Sequence, residues 1–166
     1  MGSLRDFERL LRCCALRTAN LLNKAELARD VGISPSTAAI WLSALQANGQ
    51  LVLLEPWFAN RTRSPVKTPK LHLCDSGTCA FLMGLHGAQE LLASPLAGAL
   101  WESAVLAELR RQQANRAGAW ELFFWRDRTK EVDFLRHSGG RFRLADAKWS
   151  ENPGPAAASG LRKVAR

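Results

Sequence analysis

Residues 131–148, EVDFLRHSGGRFRLADAK, decide the fold of the second half of this chain. Apolar and polar residues alternate on both sides of Ser138-Gly139-Gly140, the pattern of two antiparallel strands joined by a tight turn. In the second arm Phe142, Leu144, Asp146 and Lys148 share one parity, so the two-residue strand period puts an acid and a lysine on the apolar face. Buried charge must be paired, bound to a metal or neutralised by a shifted pKa. Asp146 and Lys148, with Asp133 in the first arm, therefore form a candidate site.

Working upstream, ELFFWRD supplies a third strand, joined through Arg128-Thr129-Lys130, and connections this short predict an antiparallel meander. Before it, the spacing predicts a long helix from Pro95 to about Gln113, closed by Asn115 to Gly118. On a helical wheel Glu102 falls between Val105, Leu106 and Leu109 with Gly98 one turn back, while Arg110 and Arg111 leave that stripe. Packing this helix across the meander would bring Glu102 toward Asp133 and Asp146. Two or three carboxylates at strand ends suit a hard cation such as Mg²⁺, which prefers oxygen ligands. Lys148 beside them would hold or activate an attacking water and offset charge on a phosphate. The plainer alternatives are a half-exposed helix Glu102 and a Lys148 that is only salt-bridged to Asp133 or Asp146.

The first half reads differently. LRDFERLLRCCALR, residues 4–17, sets Leu4, Phe7, Leu10, Leu11 and Cys14 at helical spacing, and a second helix runs from about Lys24 to Val31. Residues 24–49, KAELARDVGISPSTAAIWLSALQANG, form a helix-turn-helix pattern: a small Ala28, a turn at Gly32, Pro35 at a first helical position, and Ile40, Leu42 and Leu45 as the packing set. Leu51 to Leu54 follow as a strand, consistent with a winged version. From Ser34 to Gly49 there is no charged residue, so Ser36, Ala39, Ser43 and Gln46 offer little to base edges, and a pure packing role is the plainer reading. NRTRSPVKTPK, residues 60–70, carries Arg61, Arg63, Lys67 and Lys70 around two prolines, an extended basic loop suited to phosphates, or else a solvated connector. A strand LHLCD and two short helical pieces, SGTCAFLMGL and GAQELLASP, lead to the long helix.

With 166 residues and 47% apolar content, the chain allows one ordinary domain or two small ones. Its net charge of +8 is uneven: +3 falls in residues 58–75 and +5 in residues 126–166, which favours a polyanionic partner. Cys13, Cys14, Cys74 and Cys79 contain no C-x-x-C pair, so reduced thiols are expected. There is no charged-then-apolar leader and no apolar run of the roughly 18 residues a spanning helix needs, so a cytoplasmic location without membrane contact is the expectation. No phosphate-binding G-x-x-x-x-G-K-[ST] loop occurs, so no ATP site is expected in this chain.

A helix Glu, a strand Asp and an acid-x-Lys in this order resemble the PD-(D/E)XK nuclease superfamily. More narrowly, LARDVGISPSTAAIWLSALQANGQLVLLEPWFANRTRSPVKTPKLHLCDSG, PLAGALWESAVLAEL, FFWRDRTKEVDFL and LADAKWS are similar to the C-terminal region of a large group of prokaryotic AAA-type ATPases. There, a winged helix and a nuclease-like domain of unknown function follow the ATPase. The resemblance covers about Leu21 to Arg166, and VKTPKLHLCDSG and EVDF are its most specific segments. It implies an α/β chain with a winged helix-turn-helix and basic loop over 1–75. A PD-(D/E)XK nuclease-like α/β domain would occupy 76–166, truncated at its C-terminus, because relatives continue past GLRKVAR.

Residue by residue, the resemblance makes Glu102 and Lys148 catalytic and gives Asp133 and Asp146 the metal, Mg²⁺ or else Mn²⁺. Asp146 stands where the family usually has Glu, one methylene longer. The implied activity is metal-dependent hydrolysis of nucleic-acid phosphodiesters. The implied partners are nucleic acid, DNA foremost, and the ATPase domain. Two alternatives stay open: an inactive nucleic-acid- or protein-binding platform that regulates the ATPase, and a winged-helix DNA-binding regulator.

Overall fold

The computed structural model describes residues 3–58, 67–115 and 120–165. Three helices, α1 (Leu4–Leu16), α2 (Lys24–Val31) and α3 (Pro35–Ala47), begin at side-chain caps that satisfy otherwise orphaned N–H groups. Ser3 and Asp6 form a reciprocal capping box on α1. Asn23 accepts from the Glu26 N–H at 3.1 Å and Ser34 from the Thr37 N–H at 3.1 Å. Between α2 and α3, Gly32 takes φ 81° and donates to the Ala28 carbonyl, which ends one helix and lets the next start three residues later. The three helices enclose Leu10, Cys14, Leu27, Ala28, Val31, Ala38, Leu42 and Leu45.

Two residues expected in the helical core lie outside. Leu4 and Ile40 are exposed. The buried face of α3 is set by Ala38, Leu42 and Leu45, and Ile40 stands about 200° around the helix from Leu42. Trp41 links α3 to α1 instead, meeting Phe7 edge-on at 5.3 Å.

Strands β1 (Asn20–Leu21), β2 (Leu51–Leu54) and β3 (Lys70–Leu73) form an antiparallel sheet in the order β1-β3-β2, with Leu51 opposite Leu73 and Leu54 opposite Lys70. All four residues of β3 are buried. Next come α4 (Ser76–Leu82), capped by Asp75, then α5 (Ala88–Ala93) and α6 (Ala97–Asn115). A second antiparallel sheet, β4 (Glu121–Arg126), β5 (Glu131–Ser138) and β6 (Arg141–Ala145), is the expected meander in the order β4-β5-β6. Its β5–β6 turn needs positive φ at two successive residues, and Gly139 and Gly140 supply 54° and 72°. After a short 3₁₀ turn, α7 (Ser159–Val164) lies on β5 so closely that a β-carbon at Gly160 would overlap the Glu131 carbonyl oxygen.

The mixed α/β architecture is knitted across residue 75. Glu55 to Trp57 run beside β4: the Phe124 N–H donates to the Glu55 carbonyl at 3.1 Å, and the Trp57 N–H to the Phe124 carbonyl at 2.6 Å. One core cluster joins Val52 and Leu54 from the first sheet to Leu106, Phe124 and Phe134. Thr18 Oγ1 meets Ser103 Oγ of α6 at 2.8 Å and accepts the Leu73 N–H at 3.2 Å. Truncating a buried phenylalanine such as Phe124 or Phe134 costs about 3–5 kcal/mol, so this shared core holds the halves in register. The four cysteines are free thiols. Burial pushes Cys14 up to about 12 and Cys79 up to about 11, away from the reactive thiolate. Among the described residues no helix is long and apolar enough to cross a membrane.

Candidate functional site

Lys70 and His72 are two residues apart on β3, so their side chains leave the strand on the same side. Lys70 is only 2% exposed, and its ammonium sits among three acids. It lies 2.7 Å from Glu102 Oε1 of α6, in direct contact with Glu131 Oε1, and 3.7 Å from Asp133 Oδ1. Glu131 and Asp133 share parity on β5, and oxygens of the three carboxylates lie within 4.8 Å of one another. Each β5 acid has a second cation on its other oxygen: Arg126 Nη1 is 3.2 Å from Glu131 Oε2, and Lys148 Nζ is 3.4 Å from Asp133 Oδ2. Lys148 also reaches Asp146 Oδ2 at 3.7 Å.

Asp146 and Lys148 were expected inside a strand, but β6 ends at Ala145. Phe142, on the parity expected to face inward, is exposed. Side chains replace the ladder beyond the last β5–β6 pair, Phe134 with Ala145: the Asp133 N–H donates to Asp146 Oδ1 at 3.1 Å, and the Ala147 N–H to Asp133 Oδ2 at 2.9 Å. These cross-strand bonds take up the backbone N–H groups of Asp133 and Ala147 with carboxylates rather than with ladder carbonyls. They also fix both carboxylates at the sheet end, while Lys148 stays half exposed.

The electrostatics follow from burial. Burial alone would pull the Lys70 ammonium down, but Glu102 and then Glu131 outweigh it and hold it above its ordinary value. Glu102 is pushed up to about 7 by burial against the attraction of Lys70, with Asp133 and Glu131 adding to the rise. Burial, followed by the Lys70 charge, drives His72 down to about 3, so its ring is neutral near pH 7. His72 Nδ1 lies 3.0 Å from Ser103 Oγ, whereas Nε2 has no hydrogen-bond partner among the described residues and stands 3.9 Å from Glu102 Oε1. Asp146 is raised, chiefly by burial.

Glu102, Asp133 and Lys148 are thus brought into one network, and Asp146 joins it through Asp133 and Lys148 rather than beside Glu102. Lys70 was read as part of the basic loop. It is instead the buried first residue of β3, because it pairs with Leu54 and is drawn inward by the acids. Lys67 is exposed, while Arg61 and Arg63 lie outside the described residues. Sequence reasoning missed Lys70's role, Glu131 and His72. A signal existed for two of them: Glu131 shares parity with Asp133, and His72 sits between Leu71 and Leu73 in a strand too apolar to be an exposed edge.

Residues 97–166, which carry Glu102, Glu131, Asp133, Asp146 and Lys148, match the family described as domain of unknown function DUF4143. Similar curated proteins are Uncharacterized protein Rv2008c of Mycobacterium tuberculosis and Uncharacterized protein Mb2031c of Mycobacterium bovis. Each is 33% identical over 122 residues, which are 73% of this chain and 27% of the relative. The chain therefore spans about a quarter of the length of these relatives. No solved structure matches it. Residues 2–89, more than half of the chain and the part that contributes Lys70 and His72, match the family described as domain of unknown function DUF8612, and the chain belongs to that family.

Proposed function

We propose that this chain is a PD-(D/E)XK-like module, preceded by a winged helix-turn-helix, that hydrolyses nucleic-acid phosphodiesters with a divalent cation as the C-terminal part of an AAA-type ATPase. The observation that carries the reading is the meeting of Asp133, Asp146 and Lys148 at the end of β5 and β6, with α6 delivering Glu102 to the same network. The donor set offers oxygens to a divalent ion: carboxylate oxygens of Glu102, Glu131 and Asp133 lie within 4.8 Å of one another, next to a buried imidazole nitrogen with no partner among the described residues, and Asp146 stands outside that group, tied to the Asp133 N–H. Asp133 and Asp146 would hold the ion with Glu102 adjacent. When bound, it supplies Lewis-acid polarisation of the phosphate and a more acidic water.

This chain's own groups do the rest. Lys148, half exposed beside both aspartates, is positioned to hold a water or to meet charge developing on phosphate oxygens. Glu102 orients the network through its contact with Lys70. The exposed Lys67, with Arg61 and Arg63 near it in sequence and the basic surplus of 126–166, attracts the phosphate backbone. The uncharged α3 makes that attraction sequence-tolerant.

The test is DNA cleavage with Mg²⁺ or Mn²⁺, paired with calorimetric metal titration. Wild type cleaves. Lys148→Ala keeps metal binding but loses cleavage, since only a transition-state contact is removed. Asp133→Asn loses both. Cleavage by Lys148→Ala at the wild-type rate refutes the reading. Lys70 itself favours a second reading, an inactive platform in which its ammonium permanently fills the acid cluster and only fastens β3 to α6 and β5. Nucleic-acid binding with neither cleavage nor metal uptake selects that reading.

A further inference from the structure

We propose that Lys70 is an internal stand-in for a divalent cation, and that a nitrogen-accepting first-row ion such as Mn²⁺ enters Glu102, Glu131 and Asp133 by displacing it, with His72 Nε2 as an added ligand. The inference rests on the proposed cation chemistry at Asp133, places the ion on the Glu102 and Glu131 side of that residue rather than the Asp146 side, and names both its preferred occupant and the group that holds the place. Three observations carry it. The Lys70 ammonium lies 2.7 Å from Glu102 Oε1, touches Glu131 Oε1 and is 3.7 Å from Asp133 Oδ1, so a cation already sits where the acids converge. An ion bound to these same oxygens would take the place of the ammonium and repel its like charge, so the two cannot share the space and the ion enters only by replacing Lys70.

Second, His72 is 0% exposed, and its Nε2 has no hydrogen-bond partner among the described residues and lies 3.9 Å from Glu102 Oε1. That spacing is wider than the roughly 3.0–3.4 Å between neighbouring ligands on one ion, and His72 stands outside the group of oxygens that lie within 4.8 Å of one another, so its ring must shift inward to join the acids on the ion. Donation from Nδ1–H to Ser103 Oγ, 3.0 Å away, leaves the Nε2 lone pair facing Glu102, the usual way a second hydrogen bond orients a ligating histidine. Imidazole suits first-row ions such as Fe²⁺ and Zn²⁺ better than Mg²⁺, and Mn²⁺, an oxygen-seeking first-row ion, matches a site of three carboxylates with one nitrogen. Third, the network holds four carboxylates, Glu102, Glu131, Asp133 and Asp146, against three bases, Lys70, Arg126 and Lys148. With all four acids ionised, one negative charge is left over. Exchanging Lys70 for a divalent ion removes it.

The experiment titrates Mn²⁺ and Mg²⁺ into wild type, Lys70→Met and Lys70→Met/His72→Gln by calorimetry, with melting temperature as a second readout. Lys70→Met is expected to bind Mn²⁺ at least about tenfold tighter than wild type, and Mn²⁺ should raise its melting temperature more. Adding His72→Gln should lower Mn²⁺ affinity about tenfold and remove the preference over Mg²⁺. If Lys70→Met does not fold alone, refolding from urea with and without Mn²⁺, followed by far-UV circular dichroism, decides: Mn²⁺-dependent recovery supports the proposal and no recovery overturns it. Equal Mn²⁺ affinity in wild type and Lys70→Met overturns the role of Lys70 but leaves the cation site standing. No Mn²⁺ binding in either overturns the site as well. The hydrolysis reading is decided separately, by Lys148→Ala.

Discussion

Replacing Lys70 with Met in metal-free buffer isolates what its ammonium contributes. Met keeps the apolar stem that packs in β3, so the loss is of charge rather than volume. Removing one partner of a buried ion pair costs about 3–5 kcal/mol, a fifth or more of the roughly 5–15 kcal/mol that holds an ordinary domain folded. The structure says where the cost falls. Glu131 still has Arg126 and Asp133 still has Lys148, but Glu102 loses its one lysine contact among the described residues and keeps only the neutral His72 nearby. Adding Glu102→Gln should therefore return much of the loss, with a coupling energy of about 2 kcal/mol. The pH dependence has a definite sign. Glu102 is raised from 4.5 to about 7, so the folded state holds its proton more tightly than the unfolded chain, and this group favours folding more as pH falls from 7 toward 4.5. Without Lys70 that carboxyl rises further, and the penalty of the substitution should shrink on acidification through this window. Urea unfolding with chelator at about pH 8 and about pH 5.5 measures it. A loss below about 1 kcal/mol at both values, or a larger loss at the lower pH, would refute the claim that these charges are buried and coupled.

His72, lowered from 6.5 to about 3, contributes stability above pH 6.5 that is lost as pH falls through that window, opposite in sign to Glu102. His72→Gln should leave melting temperature falling as pH rises from about 5 to about 7, where wild type is flatter; identical profiles would contradict this. Gly160→Ala forces a methyl against the Glu131 carbonyl and should cost about 1–3 kcal/mol in urea unfolding as α7 is pushed off β5. Arg61→Ala, Arg63→Ala and Lys67→Ala together should weaken nucleic-acid binding about equally for all sequences and cut the salt slope by up to about 3, a change absent if that segment makes no phosphate contact.

Local patterns in the chain were enough to find most elements. The helical spacing of Leu4, Phe7, Leu10, Leu11 and Cys14, the turn at Gly32 with Pro35 after it, and the paired Gly139-Gly140 act within a few residues of themselves, so the three N-terminal helices and the β4-β5-β6 meander were legible without tertiary information. The inward phase of Glu102 was legible for the same reason, since the helical period is a local property, whereas Asp146 and Lys148 reach Asp133 through side-chain bonds beyond the end of β6 rather than through the strand period expected for them. Phase errors mark the limit of that reasoning: Ile40 looked like core by its type, yet the face of α3 chosen by α1 and α2 left it in solvent.

The occupant of the acid cluster was decided by tertiary structure alone. Nothing within a short window of Pro69-Lys70 distinguishes a phosphate-binding loop lysine from a buried counter-ion. The distinction appears only when β3 pairs between β1 and β2 and the second sheet docks through Glu55 to Trp57. Lys70 is 32 residues from Glu102 and is paired as well with Glu131, still farther along the chain. Contacts at such separations depend on which surfaces pack together, and the apolar cluster of Val52, Leu54, Leu106, Phe124 and Phe134 makes that choice. The sequence by itself therefore determined the elements and the faces on which their charges lie. Packing determined which of those charges meet, because burial makes an unpaired charge far costlier than any local propensity can offset.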